Sequence, residues 1–141
     1  MPTKIEDLVD IYKLYIRSVT EYCSVAFHSS LTVEQSYKLE RIQKTCLRII
    51  LGDMYIDYPA ALEMTGLDTL SDRRVKRCLT FSMRAVRHDR NQKLFPLNKM
   101  AGVFNTRHSE IFSVNFAATS AYRNSAIPYC QRLLNQQFKK R

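Results

Sequence analysis

Glycine and proline are scarce, three and four among 141 residues, which argues against a low-complexity linker. No run of roughly 18 apolar residues occurs, so no membrane-spanning helix is expected. The opening MPTKIEDLVD has no cationic stretch followed by an apolar one, and a signal peptide is not expected either. An intracellular location, nuclear or cytoplasmic, follows by default. Cys23, Cys46, Cys78 and Cys130 are widely spaced, with no C-x-x-C pair and no histidine at a ligand spacing. They read as ordinary reduced thiols, and neither a metal site nor a cofactor is expected. His28, His88 and His108 stand apart beside polar or basic residues and read as surface side chains. No glycine-rich phosphate loop and no paired acid–base carboxylates are visible, so no catalytic residue is assigned and no small-molecule substrate is expected.

What the chain does carry is one domain's length, 45% hydrophobic residues, and a charge of +9 from 22 basic and 13 acidic residues. Such an excess favours contact with a polyanion such as nucleic acid ahead of an anionic membrane surface, and charge alone does not choose between the two. Thr3 with Glu6 has the capping-box spacing. Ile5, Leu8, Tyr12, Tyr15 or Ile16, Val19, Tyr22 or Cys23, and Ala26 recur at helical intervals, predicting a long amphipathic helix that fades near His28. Thr32 with Gln35 caps a second helix carrying Leu39, Ile42, Cys46 and Ile49 or Ile50 as its apolar stripe, and Gly52 stops it. Pro59 suits the first position of a brief helix ended by Gly66. Thr69 or Ser71 then caps a helix with Val75, Cys78 or Leu79, Met83 or Ser82, and Val86 on one side.

Leu97 to Ser113 has no clear period and reads as loop, while the spacing over Ile111 to Phe116 is compatible with a short extended stretch. A last helix is expected from about Ser125 to Phe138, followed by Lys139-Lys140-Arg141. The expected fold is all-α, an irregular bundle of about five helices with a loop-rich, partly extended segment before the last one. Its expected division is a helical core over 1–95, a connector over 96–124 and a basic C-terminal helix over 125–141.

Three ordered blocks resemble one family. YKLYIRSVTEYCSVAFHSSL has Tyr12, Arg17, Tyr22 and Ser24 in matching places, with Phe27 where that family usually has tryptophan. The second block holds Leu39, Glu40, Gln43, Arg48, Gly52, Gly66, Leu67, Leu70, Arg73 and Arg74, and the third, YRNSAIPYCQRLLN, holds Arg123, Ser125, Pro128, Arg132 and Asn135. In order and spacing they resemble the region that follows the polymerase palm in reverse transcriptases of non-LTR (LINE-type) retrotransposons. The resemblance implies a thumb-like helical segment that packs against the palm domain of the parent protein, beside RNA or an RNA–DNA hybrid.

Adjacent aspartates, which such polymerases need to bind two metal ions, occur nowhere in the chain. This polypeptide is therefore not expected to be an enzyme on its own, although the parent family is an RNA-directed DNA polymerase. Arg73, Arg74, Lys76, Arg77, Arg84 and Arg87 are the candidate nucleic-acid-binding residues. Four cations at a helix start oppose the helix dipole and are easier to explain beside a phosphate backbone, while Asp68 and Asp72 allow a plain solvated face instead. Lys38, Arg41, Lys44 and Arg48, diluted by Glu34 and Glu40, read as solvent face. Tyr12, Tyr15, Tyr22, Tyr37, Tyr55 and Tyr58 read as packing residues, with base stacking as the alternative. The other readings are a helical protein-interaction or structural module, and a decayed element without activity.

Overall fold

The computed structural model describes residues 4–98 and 110–139. Thr3, His108, Lys140, Arg141 and most of the expected loop lie outside the described residues. The fold is all-α, with no β-strand among the described residues. The α-helices are α1 (Ile5–Ile11), α2 (Arg17–Thr20), α3 (Ser24–Phe27), α4 (Val33–Leu51), α5 (Tyr58–Thr65), α6 (Leu70–Val86), α7 (Ser120–Arg123) and α8 (Ala126–Lys139). They fall into two compact units, Met1–Ser24 with Leu31–Val75, and Val25–Ser30 with Lys76–Arg141. The boundary falls within α6, whose later residues Cys78 and Ala85 bury in a different cluster from Leu67, which precedes the helix.

The first helix is not continuous, contrary to the expectation of a single helix to about His28. A π turn over Tyr12–Ile16 links α1 to α2, and the chain then breaks at Cys23, whose φ is +52°. Wider turns rotate the stripe, so Val9 and Tyr12 bury while Tyr15, Val19 and Tyr22 are exposed at 70%, 75% and 76%.

In α4 the capping box of Thr32 and Gln35 is present as expected, and Gly52 follows the last residue with φ +51°. The inward stripe is displaced by one residue: Gln43, Leu47 and Leu51 are buried, whereas Ile42 and Ile49 are exposed. The reason is Gln43, a polar residue that apolar periodicity cannot select. Its Oε1 accepts from the Tyr12 hydroxyl at 2.6 Å, and its Nε2 donates to the Tyr58 hydroxyl at 3.0 Å and to the Asp68 carbonyl at 3.0 Å. Tyr58 in turn donates to Glu40 Oε1, which also accepts the Leu70 backbone N–H at 3.1 Å. Around this network lie Val9, Leu47, Leu51, Ala61 and Leu67, with Ile5, Ile50 and Leu62 at the margin.

Short elements follow their caps. Asp57 accepts from the Ala60 N–H at 2.8 Å to start α5, and Gly66, at φ +63° and ψ 29°, ends it in the left-handed conformation that glycine adopts without a Cβ penalty. Thr69 accepts from the Asp72 N–H at 3.0 Å at the start of α6.

In the second unit, Cys78, Ala85, Phe95, Phe112, Cys130 and Leu134 form the core. The stretch around residue 112 is tied by an isolated bridge between Leu97 and Phe112. Two buried amides complete it. Asn135 accepts from the Phe112 N–H and donates to the Phe112 carbonyl, both at 2.9 Å, while Gln131 accepts from Asn115 N–H and donates to the Leu94 carbonyl at 2.7 Å. These bonds let an irregular segment satisfy its backbone against α8. The last helix matches the expected span within one residue at each end, and the short α7, capped by Thr119, was not expected.

Two predictions follow from the Gln43 network. Gln43→Leu keeps the volume but leaves buried hydroxyl and carbonyl groups unpaired, at about 1–3 kcal/mol each, so chemical denaturation should show a loss of about 2–4 kcal/mol. Burial pushes the Tyr12 and Tyr58 phenols well above their ordinary value of 10.0, with the Glu40 hydrogen bond adding to the effect at Tyr58. Their contribution is therefore complete below the unfolded-state value and is lost as pH rises above it. Unfolding midpoints should hold to about pH 9.5 and fall above pH 10, and a Tyr12→Phe, Tyr58→Phe protein should fall less steeply.

Candidate nucleic-acid interface

The six candidate cations, five on α6 and Arg87 just after it, separate into two sets. Arg73 and Arg74 turn inward. Arg73 Nε donates to Glu21 Oε1 at 2.5 Å and its Nη2 to Oε2 at 3.1 Å, a bidentate pair in which the Glu21 side chain is 2% exposed and that of Arg73 25%. The hydrogen bonds to Glu21 raise the Arg73 pKa above its ordinary value. Arg74 is 1% exposed and donates through Nη2 to the Ser36 hydroxyl at 2.7 Å. Asp68 and Asp72, the partners considered from sequence, missed this arrangement because Glu21 lies 52 positions away. The turn that breaks the helix after Thr20 is what brings Glu21 inward.

Lys76, Arg77, Arg84 and Arg87 are exposed. At roughly 100° per residue they fall within an arc of about 100°, with Thr80 between them. The opposite side of the same helix carries Cys78, Ser82 and Ala85, all buried. Arg87, just beyond the helix, keeps its N–H on the Arg84 carbonyl at 3.2 Å, which holds the two side chains one turn apart. Beside them lies a shallow groove of about 340 Å³ lined by Leu79, Thr80, Met83, Arg84, Arg87 and Gln137. Its lining combines the apolar side chains of Leu79 and Met83 with the cationic ones of Arg84 and Arg87. Arg90 is also exposed, in the 3-10 turn of Asp89–Leu94.

The second cationic stripe is largely engaged within the protein. Lys38 pairs with Glu34 at 2.8 Å, Lys44 lies over the Tyr37 and Tyr58 rings at 5.3 and 5.0 Å, and Arg48 lies over the Tyr55 ring at 5.3 Å. Tyr12 and Tyr58 serve the core network, whereas Tyr15, Tyr22 and Tyr37 are exposed. His28 is not a surface residue: it is half-buried, with Nε2 3.2 Å from the Tyr129 hydroxyl. No cluster of three or more metal-ligating side chains occurs among the described residues. No helix among them is long and apolar enough to cross a membrane.

The described residues thus define an all-α protein with an outward cationic ridge on one helix. No family model, no curated protein and no solved structure matches the chain.

The two sets of cations should respond oppositely to truncation. Arg73→Ala removes the bidentate partner of the buried Glu21 carboxylate and should cost about 3 kcal/mol of folding stability. Arg84→Ala should change stability by no more than about 0.5 kcal/mol. Urea titrations of both variants check this, and equal effects would contradict the division.

Proposed function

We propose that this chain is a helical segment of the kind that follows the palm of a non-LTR retrotransposon reverse transcriptase, and that it supports binding of RNA or an RNA–DNA hybrid without catalysing polymerisation. The observation that carries the reading is the α6 ridge of Lys76, Arg77, Arg84 and Arg87, four cations within one side of a helix whose other side is core. Repeated cations at one-turn intervals match a backbone of repeated phosphates and give affinity without base readout. Three ordered sequence blocks and the charge of +9 support the same reading. Arg73 and Arg74, whose guanidinium groups face Glu21 and Ser36, act by holding the start of the helix.

Ile11, Tyr15 and Val19, at four-residue intervals, form an exposed apolar side on the first helical segments, extended by Leu14 and Tyr22. In a complete polymerase this side would pack against the palm. The same side favours a second reading, a helical module that docks a protein partner and uses its basic residues only for solubility.

Gel-shift titration with an RNA–DNA hybrid separates the two readings. Neutralising about four phosphates gives a log–log salt slope near roughly −3.6, and Arg84→Gln with Arg87→Gln should reduce its magnitude by about 1.8. A dissociation constant weaker than about 10⁻⁴ M at low salt, together with a salt-indifferent dimer in light scattering, would favour the docking module.

A further inference from the structure

An open groove of about 390 Å³ lies within the first unit, lined on α4 by Ser36, Tyr37, Glu40 and Lys44, at the start of α5 by Tyr58 and at the start of α6 by Ser71. That volume falls in the range of small-molecule sites, roughly 300–1,000 Å³. We propose that this groove binds a phosphate group, either as the free ion or as the monoester of a small molecule.

Arg74 is 1% exposed, yet among the described residues no carboxylate pairs with it: Nη2 donates to the Ser36 hydroxyl at 2.7 Å, and the Nε–H has no partner. A buried cation without a counter-ion is costly, and an oxyanion held nearby offsets that cost. Ser36 carries the charge to the groove. Its oxygen accepts the Arg74 N–H, so its own hydrogen, which has no acceptor among the described residues, can be donated into the groove that Ser36 lines.

Lys44 supplies a second cation. Its ammonium lies 5.3 and 5.0 Å from the centres of the Tyr37 and Tyr58 rings, which hold it in place without neutralising it. The backbone of α6 adds a third donor: the N–H groups of Leu70 and Asp72 are taken by Glu40 and Thr69, and that of Arg73 by the Thr69 carbonyl, whereas the Ser71 N–H has no acceptor among the described residues. It stands at the positive end of a 17-residue helix.

Glu40 is the acid in this lining, and its carboxylate is already committed. Oε1 accepts from the Tyr58 hydroxyl and the Leu70 N–H, while Oε2 is sealed from solvent. Two cations against one carboxylate favour an anion over a neutral or cationic molecule. A tetrahedral oxyanion accepts several hydrogen bonds at once, and so can use the Ser36 hydroxyl, the Lys44 ammonium and the Ser71 N–H together. Lys76, Arg77, Arg84 and Arg87 belong to the other unit, and none of them lines this groove.

The full chain, isotope-labelled for NMR, is titrated at constant ionic strength with sodium phosphate, with ribose-5-phosphate and with ribose. Saturable shifts of the Ser36, Lys44 and Ser71 amides are expected with both phosphates, and none with ribose. Tighter binding of ribose-5-phosphate assigns the groove to a monoester, and equal or weaker binding assigns it to the free ion. Lys44→Gln, by removing a charge-assisted bond, should weaken binding about tenfold or more. Ser36→Ala should weaken it likewise, and Arg84→Gln with Arg87→Gln should leave it unchanged. The proposal is overturned if those three amides show no saturable shift, or if folded Lys44→Gln and Ser36→Ala proteins bind phosphate as tightly as the unaltered chain. Shifts that centre on Arg84 and Arg87 and vanish when both are replaced would overturn it as well.

Discussion

A buried amide, Gln43, is the group on which the first unit depends. One side chain with no exposure ties Tyr12 of the first helical segment, Tyr58 of α5 and the Asp68 carbonyl at the entrance to α6. Glu40, one turn earlier, extends the same network to the Leu70 N–H. Apolar contacts around it are abundant but non-directional, and helices this short slide or rotate against one another at little cost. Directed hydrogen bonds in a site that excludes water penalise every register but one, because each partner left unpaired costs its full desolvation. The network therefore selects which arrangement of the apolar faces is used.

The same constraint explains the separation of cations on α6. With Leu70 buried and its N–H on Glu40, the helix starts with a fixed rotation, which turns Arg73 toward Glu21 and buries Arg74. Helical geometry then turns the next cations outward: Lys76 and Arg77 leave the buried side, and Arg84 and Arg87 repeat their direction two turns later. A basic run that reads as uniform in sequence thus becomes two inward anchors and an outward ridge. The inward pair is tied to Glu21 and Ser36, and the outward four lie on the exposed side of the helix.

How much of this could be read from sequence depends on whether the signal was local. Caps were legible: Thr32 with Gln35, Gly52, Gly66 and, of the two candidates Thr69 and Ser71, Thr69 act through bonds spanning a few residues. The all-α class and the last helix were legible for the same reason. The stripe of α4 was misread by one residue because periodicity counts only apolar side chains, and Gln43 is polar. The break in the first helix was missed because neither the π turn at Tyr12–Ile16 nor the positive φ of Cys23 involves a glycine or proline. Glu21 and Arg73 lie 52 positions apart, and only the tertiary fold brings them together.

If the amide network is what sets the register of the first unit, Tyr12 and Gln43 must be energetically coupled and not merely adjacent. A double-mutant cycle of Tyr12→Phe and Gln43→Leu, read by urea unfolding, measures that directly. A coupling of about 1–2 kcal/mol is the expected result. Losses that add to within about 0.5 kcal/mol would contradict the account, leaving apolar packing alone to position the helices.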